Sequence, residues 1–150
     1  MTAREATTVF KKILVAVDVN DEKFANKVLE AAVSAGEGAD PELHVLGVVP
    51  DFEMPIVAQY FPPDFEAKAV KETEQQLNAL CKQSVPSAVD TEVEVEVGRV
   101  YDVIMSHANK IKADLIVLGA HAPDLKDYLV GSNARKVVAH AKQSVLVIRD

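Results

Sequence analysis

A chain of 150 residues, 49% of them hydrophobic, has the length of one domain and enough apolar mass for one substantial core. Its formal charge of −7, from 16 Lys and Arg against 23 Asp and Glu, argues against nucleic acid as the main partner, since phosphate backbones are held by basic excess. No apolar run approaches the roughly 20 residues of a membrane span. The one cysteine, Cys81, cannot form an internal disulfide, and nothing in Met1 to Lys12 resembles a signal peptide, so the expected setting is cytoplasmic, with no membrane partner.

Residues 1–9 read as a loose polar tail. Ile13 to Val17 is an unbroken apolar run, the pattern of a parallel strand buried on both faces, and Asp18 ends it. A carboxylate at the carboxyl end of such a strand lies where open α/β sheets hold ligands; it equally suits a cap of the following turn. Asn20 or Asp21 can cap a helix that carries Phe24, Val28, Ala31, Ala32 and Ala35 on one face and stops at Gly36 and Gly38.

Leu43 to Val49 is the next apolar run, and strand, helix, strand with this crossover length implies a right-handed parallel unit. His44 has no other metal-type residue at ligand spacing along the chain and reads as a core or rim histidine. Pro50 to Pro63, with four prolines, reads as a long loop and a candidate flap. From Phe65 to about Val85, Phe65, Ala69, Leu77, Leu80, Cys81 and Ser84 share a helical face, which makes Cys81 a small buried group. Thr91 to Val97 alternates Glu with Val, as an edge strand does with one wet face and a row of charges that discourages pairing. A helix from about Val100 to Lys112 turns Val103, Ile104, His107, Ala108 and Ile111 inward.

Leu115 to Leu118 is a further buried strand, ended by Gly119. A polar loop with Pro123 follows, and Gly131-Ser132-Asn133-Ala134 opens a helix with Ala134, Val137, Val138 and Ala141 at helical spacing. Helix starts carry unpaired N–H groups and partial positive charge, and small residues there let an anion approach. Phosphate binding is the functional expectation. An unliganded cap has the same local pattern and is the commoner outcome on that pattern alone. The final strand, Ser144 to Arg149, is apolar on both faces, yet in a sheet ordered 3-2-1-4-5 it is an edge. It is expected to pair with a second copy in a two-fold dimer, unless a helix or the tail covers it.

KKILVAVDVND, LHVLGVVP, VEVGRVYDVIMSHANKIKADLIVLGAH, LVGSNA and SVLVIRD together resemble the universal stress protein family over nearly the full length. The resemblance implies one α/β domain over residues 1–150, a five-stranded parallel sheet in the order 3-2-1-4-5 with helices on both faces, a Rossmann-like adenine-nucleotide fold. The nucleotide-binding pattern of the family is a glycine, two residues, a glycine, nine residues, then glycine with Ser or Thr. Gly119 and Gly131-Ser132 match its ends, whereas Ala122 stands at the second glycine and eight residues separate it from Gly131.

Carried onto matching positions, Ala16, Val17, Asp18 and Val48 would border adenine and ribose. Gly119 and His121 would line the phosphate entry, and Gly131, Ser132, Asn133 and Ala134 would offer amides and a hydroxyl. The resemblance implies ATP or another adenine nucleotide, leaves room for Mg2+ bridging phosphates, and points to a non-catalytic, homodimeric stress-response module. Two other readings stand beside it. A slow ATP hydrolase would have Asp18 and His121 as its base candidates, but no Walker-type Gly-Lys-Ser/Thr is present. A nucleotide-independent interaction scaffold would account for Ala122 and the shorter loop.

Overall fold

The computed structural model describes residues 10–50, 64–120 and 132–150. Five strands alternate with helices: β1 (Lys12–Ala16), α1 (Glu22–Ala35), β2 (Glu42–Pro50), α2 (Phe65–Ser84), β3 (Asp90–Gly98), α3 (Val100–Ile111), β4 (Leu115–Ala120), α4 (Ser132–His140) and β5 (Ser144–Arg149). All pairings are parallel, as the alternation of apolar runs and amphipathic helices implies, and the order β3-β2-β1-β4-β5 is the one the family resemblance implies. The loop from 51 to 63, read as a flap, lies outside the described residues, as do the tail and the 121–131 loop.

The central strands carry Ile, Leu and Val on both faces because both faces are covered. Val15 pairs with Val45 on one side and Val117 on the other, and all three sit against α1 and α2 with Val28, Leu29 and Leu77. Leu14, Leu46, Ile116 and Leu118 point the other way and pack on Ile104, Ala108, Ala134 and Val137 from α3 and α4. Each fully buried Leu or Ile contributes about 1.5–3 kcal/mol relative to exposure.

Local signals set the element ends. Asp21, rather than Asn20, caps α1, its Oδ1 accepting the Phe24 N–H at 3.2 Å. Asp114 accepts from the Lys11 and Lys12 backbone N–H groups at 3.2 and 2.9 Å and so fastens the start of β4 to the start of β1.

Four expectations need correction. Gly119 does not end β4 but lies inside it, one residue before Ala120. Cys81 is half-buried at the margin of the core, because only Leu77 and Leu80 of α2 are fully buried. Val138 is not turned inward; it is 53% exposed, while Ala134 and Val137 face the sheet. The glutamate face of edge strand β3 is not simply wet: Glu94 and Glu96 are half-buried and face His107 of α3.

Candidate functional site

The sheet order reverses at β1, which is flanked by β2 and β4, whose connections leave toward opposite faces. Strands that part in this way leave a crevice beyond their carboxyl ends. A cavity of about 600 Å³ opens there, within the size range of small-molecule sites.

β1 delivers Ala16 and Val17 to its wall, and the Val17 N–H donates to the Leu46 carbonyl at 3.0 Å, which keeps the chain in register one residue past the strand. Asp18 follows, exposed, with its Oδ1 accepting the Asn20 N–H at 2.9 Å. One carboxylate oxygen shapes the turn, and the residue lines the cavity.

β2 contributes Val48, with Val49 and Pro50, and β4 contributes Leu118 and Gly119. From α4 come Asn133 and Ala134, the second and third residues of the helix, whose first-turn N–H groups have no partner within it. Ser132 starts that helix but is not among the described wall residues. His121 and Gly131 lie outside the described residues. Of the ten site positions, seven thus surround one cavity: Ala16, Val17, Asp18, Val48, Gly119, Asn133 and Ala134.

Some wall residues are not read as part of a site from the sequence, where Phe24, Phe65 and Ala69 figure only as apolar helix faces. Phe24 closes the cavity floor, and Phe65, Ala69, Thr73 and Gln76 bring the first half of α2 to its side. Their signal was present but weak: α2 is long, yet its apolar face thins out before Leu77, as a helix does where it leaves the core to border a space.

The charges on the described part of the wall are both negative, Asp18 and Glu72. What the described wall offers an anion is therefore the backbone dipole at the start of α4, and what it offers an apolar group is the patch formed by Val17, Val48 and Leu118.

The model of the universal stress protein family matches residues 10–149. The chain belongs to that family. Universal stress protein G of Salmonella typhimurium is 32% identical over 145 residues, covering 93% of this chain and 99% of that protein. Among solved structures, the universal stress protein UspA from Lactobacillus plantarum is 29% identical, with a TM-score of 0.72 over 95% of this chain and 100% of its own. A universal stress protein solved in complex with cAMP shares the fold, with a TM-score of 0.68, 20% identity, and coverage of 94% and 98%. This family member has the parallel sheet with a crevice at the β1 and β4 ends.

Proposed function

We propose that this universal stress protein family member binds an adenine nucleotide, ATP in first place, in the crevice between the β1, β2 and β4 ends and the start of α4. The observation that carries the reading is that Asn133 and Ala134 of the first turn of α4 open onto the same cavity as the apolar walls Val17 and Val48. Adenine would lie between these walls, Asp18 would take ribose hydroxyls, and the phosphates would meet the amides of Gly131 to Ala134 with the Ser132 hydroxyl. Gly119 and His121 would stand at the phosphate entry. The cAMP complex of a fold relative is in keeping with a guest of this class.

Because Asp18 and Glu72 make the described wall acidic, a triphosphate needs a counter-cation, and Mg2+ typically uses one or two carboxylates together with the phosphates. Asp18 is the carboxylate that fits this role. Magnesium would supply charge neutralisation only.

The same proposal makes the chain, 1–150, one regulatory stress-response unit in the cytoplasm that works as a homodimer. Support for the dimer comes from β5: it is a sheet edge whose Val145, Leu146, Val147 and Ile148 are only half-buried, and Val138 of α4 adds exposed apolar surface.

Calorimetric titration with ATP, AMP and adenosine, each with and without magnesium, tests the reading. The expected outcome is saturable binding of one ATP per chain, strengthened by magnesium. No binding of any of the three at millimolar concentration overturns it.

A further inference from the structure

We propose that His44, Glu94 and His107 form a binding site for a divalent transition ion of the zinc type, separate from the nucleotide cavity. None of the three lines that cavity. The sheet and one helix build the site together. Glu94 pairs with Leu46 in the β2 to β3 register, two residues along from His44 and on the same face, and α3 lays His107 over that face. One nitrogen from each imidazole and one Glu94 oxygen come within 4.8 Å of one another.

Both imidazoles are almost completely enclosed, with side-chain exposures of 6% for His44 and 1% for His107. Their polar atoms are nevertheless incompletely used. His44 Nε2 lies 2.8 Å from Glu42 Oε1, while Nδ1 of His44 and both ring nitrogens of His107 lack a hydrogen-bond partner among the described residues. Carboxylates are close to each: Glu92 Oε2 is 3.5 Å from His44 Nδ1, Glu94 Oε2 is 3.1 Å from His107 Nε2, and Glu96 Oε1 is 3.5 Å from His107 Nδ1. Leaving such buried atoms without a partner is destabilising by about 1–3 kcal/mol each, so their persistence points to something that satisfies them.

A metal ion does so with the protein groups already present. A hydrogen bond from His44 Nε2–H to Glu42 leaves Nδ1, which has no hydrogen-bond partner among the described residues, to serve as the ligand atom, the carboxylate–histidine arrangement that supports metal-bound imidazoles. Glu96 Oε1 lies 3.5 Å from Nδ1 of His107 without a hydrogen bond, and Nε2, 3.1 Å from Glu94, is the nitrogen placed to serve as its ligand atom. Four carboxylates, Glu42, Glu92, Glu94 and Glu96, surround two imidazoles, so the site favours added positive charge. Two imidazoles and a carboxylate are a zinc-type donor set, whereas magnesium and calcium prefer oxygen alone. Tetrahedral bonds of ~2.0–2.1 Å separate ligand atoms by about 3.3 Å, so the cluster must contract by roughly 1–1.5 Å, and the half-exposed Glu94 side chain can supply much of that movement. The bound ion would clasp edge strand β3 to β2 and α3.

The test titrates tag-free, metal-stripped full-length protein with Zn2+ alone by calorimetry and follows thermal unfolding with and without the ion. We expect one tight equivalent, a raised unfolding midpoint, and at least tenfold weaker binding in both Glu94→Gln and His44→Gln, with His140→Asn unchanged. Co2+ in the unaltered protein should give the visible absorption of a tetrahedral site with imidazole ligands. If His44→Gln does not fold, Glu94→Gln decides the matter, because Glu94 is half-exposed. Absence of saturable zinc binding, or binding that is indifferent to Glu94→Gln, overturns the assignment.

Discussion

The ring of Phe24 lies directly against the α-carbon of Gly119: a Cβ built there would stand 2.7 Å from two of its ring carbons and 3.0 Å from Val28. This contact gives Gly119 a packing reason to lack a side chain, independent of any ligand. Gly119→Ala should destabilise the protein by about 1–3 kcal/mol, the cost of overpacking a filled core. Urea denaturation checks the value. The companion Phe24→Leu, which withdraws the ring, should recover part of the loss in the double variant, and equal losses with and without Phe24 would show that the ring is not the obstacle.

Asn133 sits in the first turn of α4, where helix stability and anion binding respond to charge with opposite signs. Asn133→Asp adds a negative charge to the positive end of the helix, which favours the helix by about 0.3–1 kcal/mol. The same charge repels phosphate. ATP binding should weaken about fivefold, taking ~1 kcal/mol for the like charge, and adenosine binding should not change. A parallel loss for adenosine would mean that the asparagine touches the base or ribose instead.

Much of this arrangement was legible in the sequence, and the reasons it was not complete are physical. Runs such as Ile13 to Val17 and Leu115 to Leu118 read as doubly buried strands because they are continuous, apolar, rich in β-branched residues and too short for a buried helix. Strand order followed from the family resemblance, and the small residues at Asn133 and Ala134 marked the helix start at the crevice. The meeting of His44 with Glu94 and His107 could not be read, because it depends on the β2 to β3 register and on how α3 crosses the sheet. Likewise, the Phe24 contact that explains Gly119 joins positions far apart in the chain.

Cys81 offers a test of the α2 packing. Burial pushes its thiol pKa up, so the folded state favours the neutral form. As pH rises through the ordinary thiol range, the unfolded chain ionises first and binds fewer protons than the folded one, so this group's contribution to stability falls with rising pH. Urea midpoints should therefore drop more between neutral and alkaline pH in the unaltered protein than in Cys81→Ala. Native Cys81 should also react slowly with thiol reagents and quickly once unfolded. Fast labelling of the folded chain would place the sulfur in a more open setting.

The half-buried strand β5 should be the dimer contact. Val147→Lys puts a charge on that strand while its aliphatic stem can still cover the neighbouring core. Sedimentation velocity should show a dimer for the unaltered protein and a monomer for the variant, with the far-ultraviolet circular dichroism preserved. A dimer that survives the substitution would move the interface elsewhere.

An adenine nucleotide in the crevice between the strand ends and the start of α4 is the proposal on which the other predictions about binding rest. Amide shift mapping by nuclear magnetic resonance on titrating ATP with magnesium tests it most directly, because it reports location as well as binding. Saturable shifts should concentrate at Val17 to Asn20, Val48, Gly119, Asn133 and Ala134, with β3 and the middle of α3 little affected. Shifts centred away from these amides, or none at millimolar nucleotide, would contradict it.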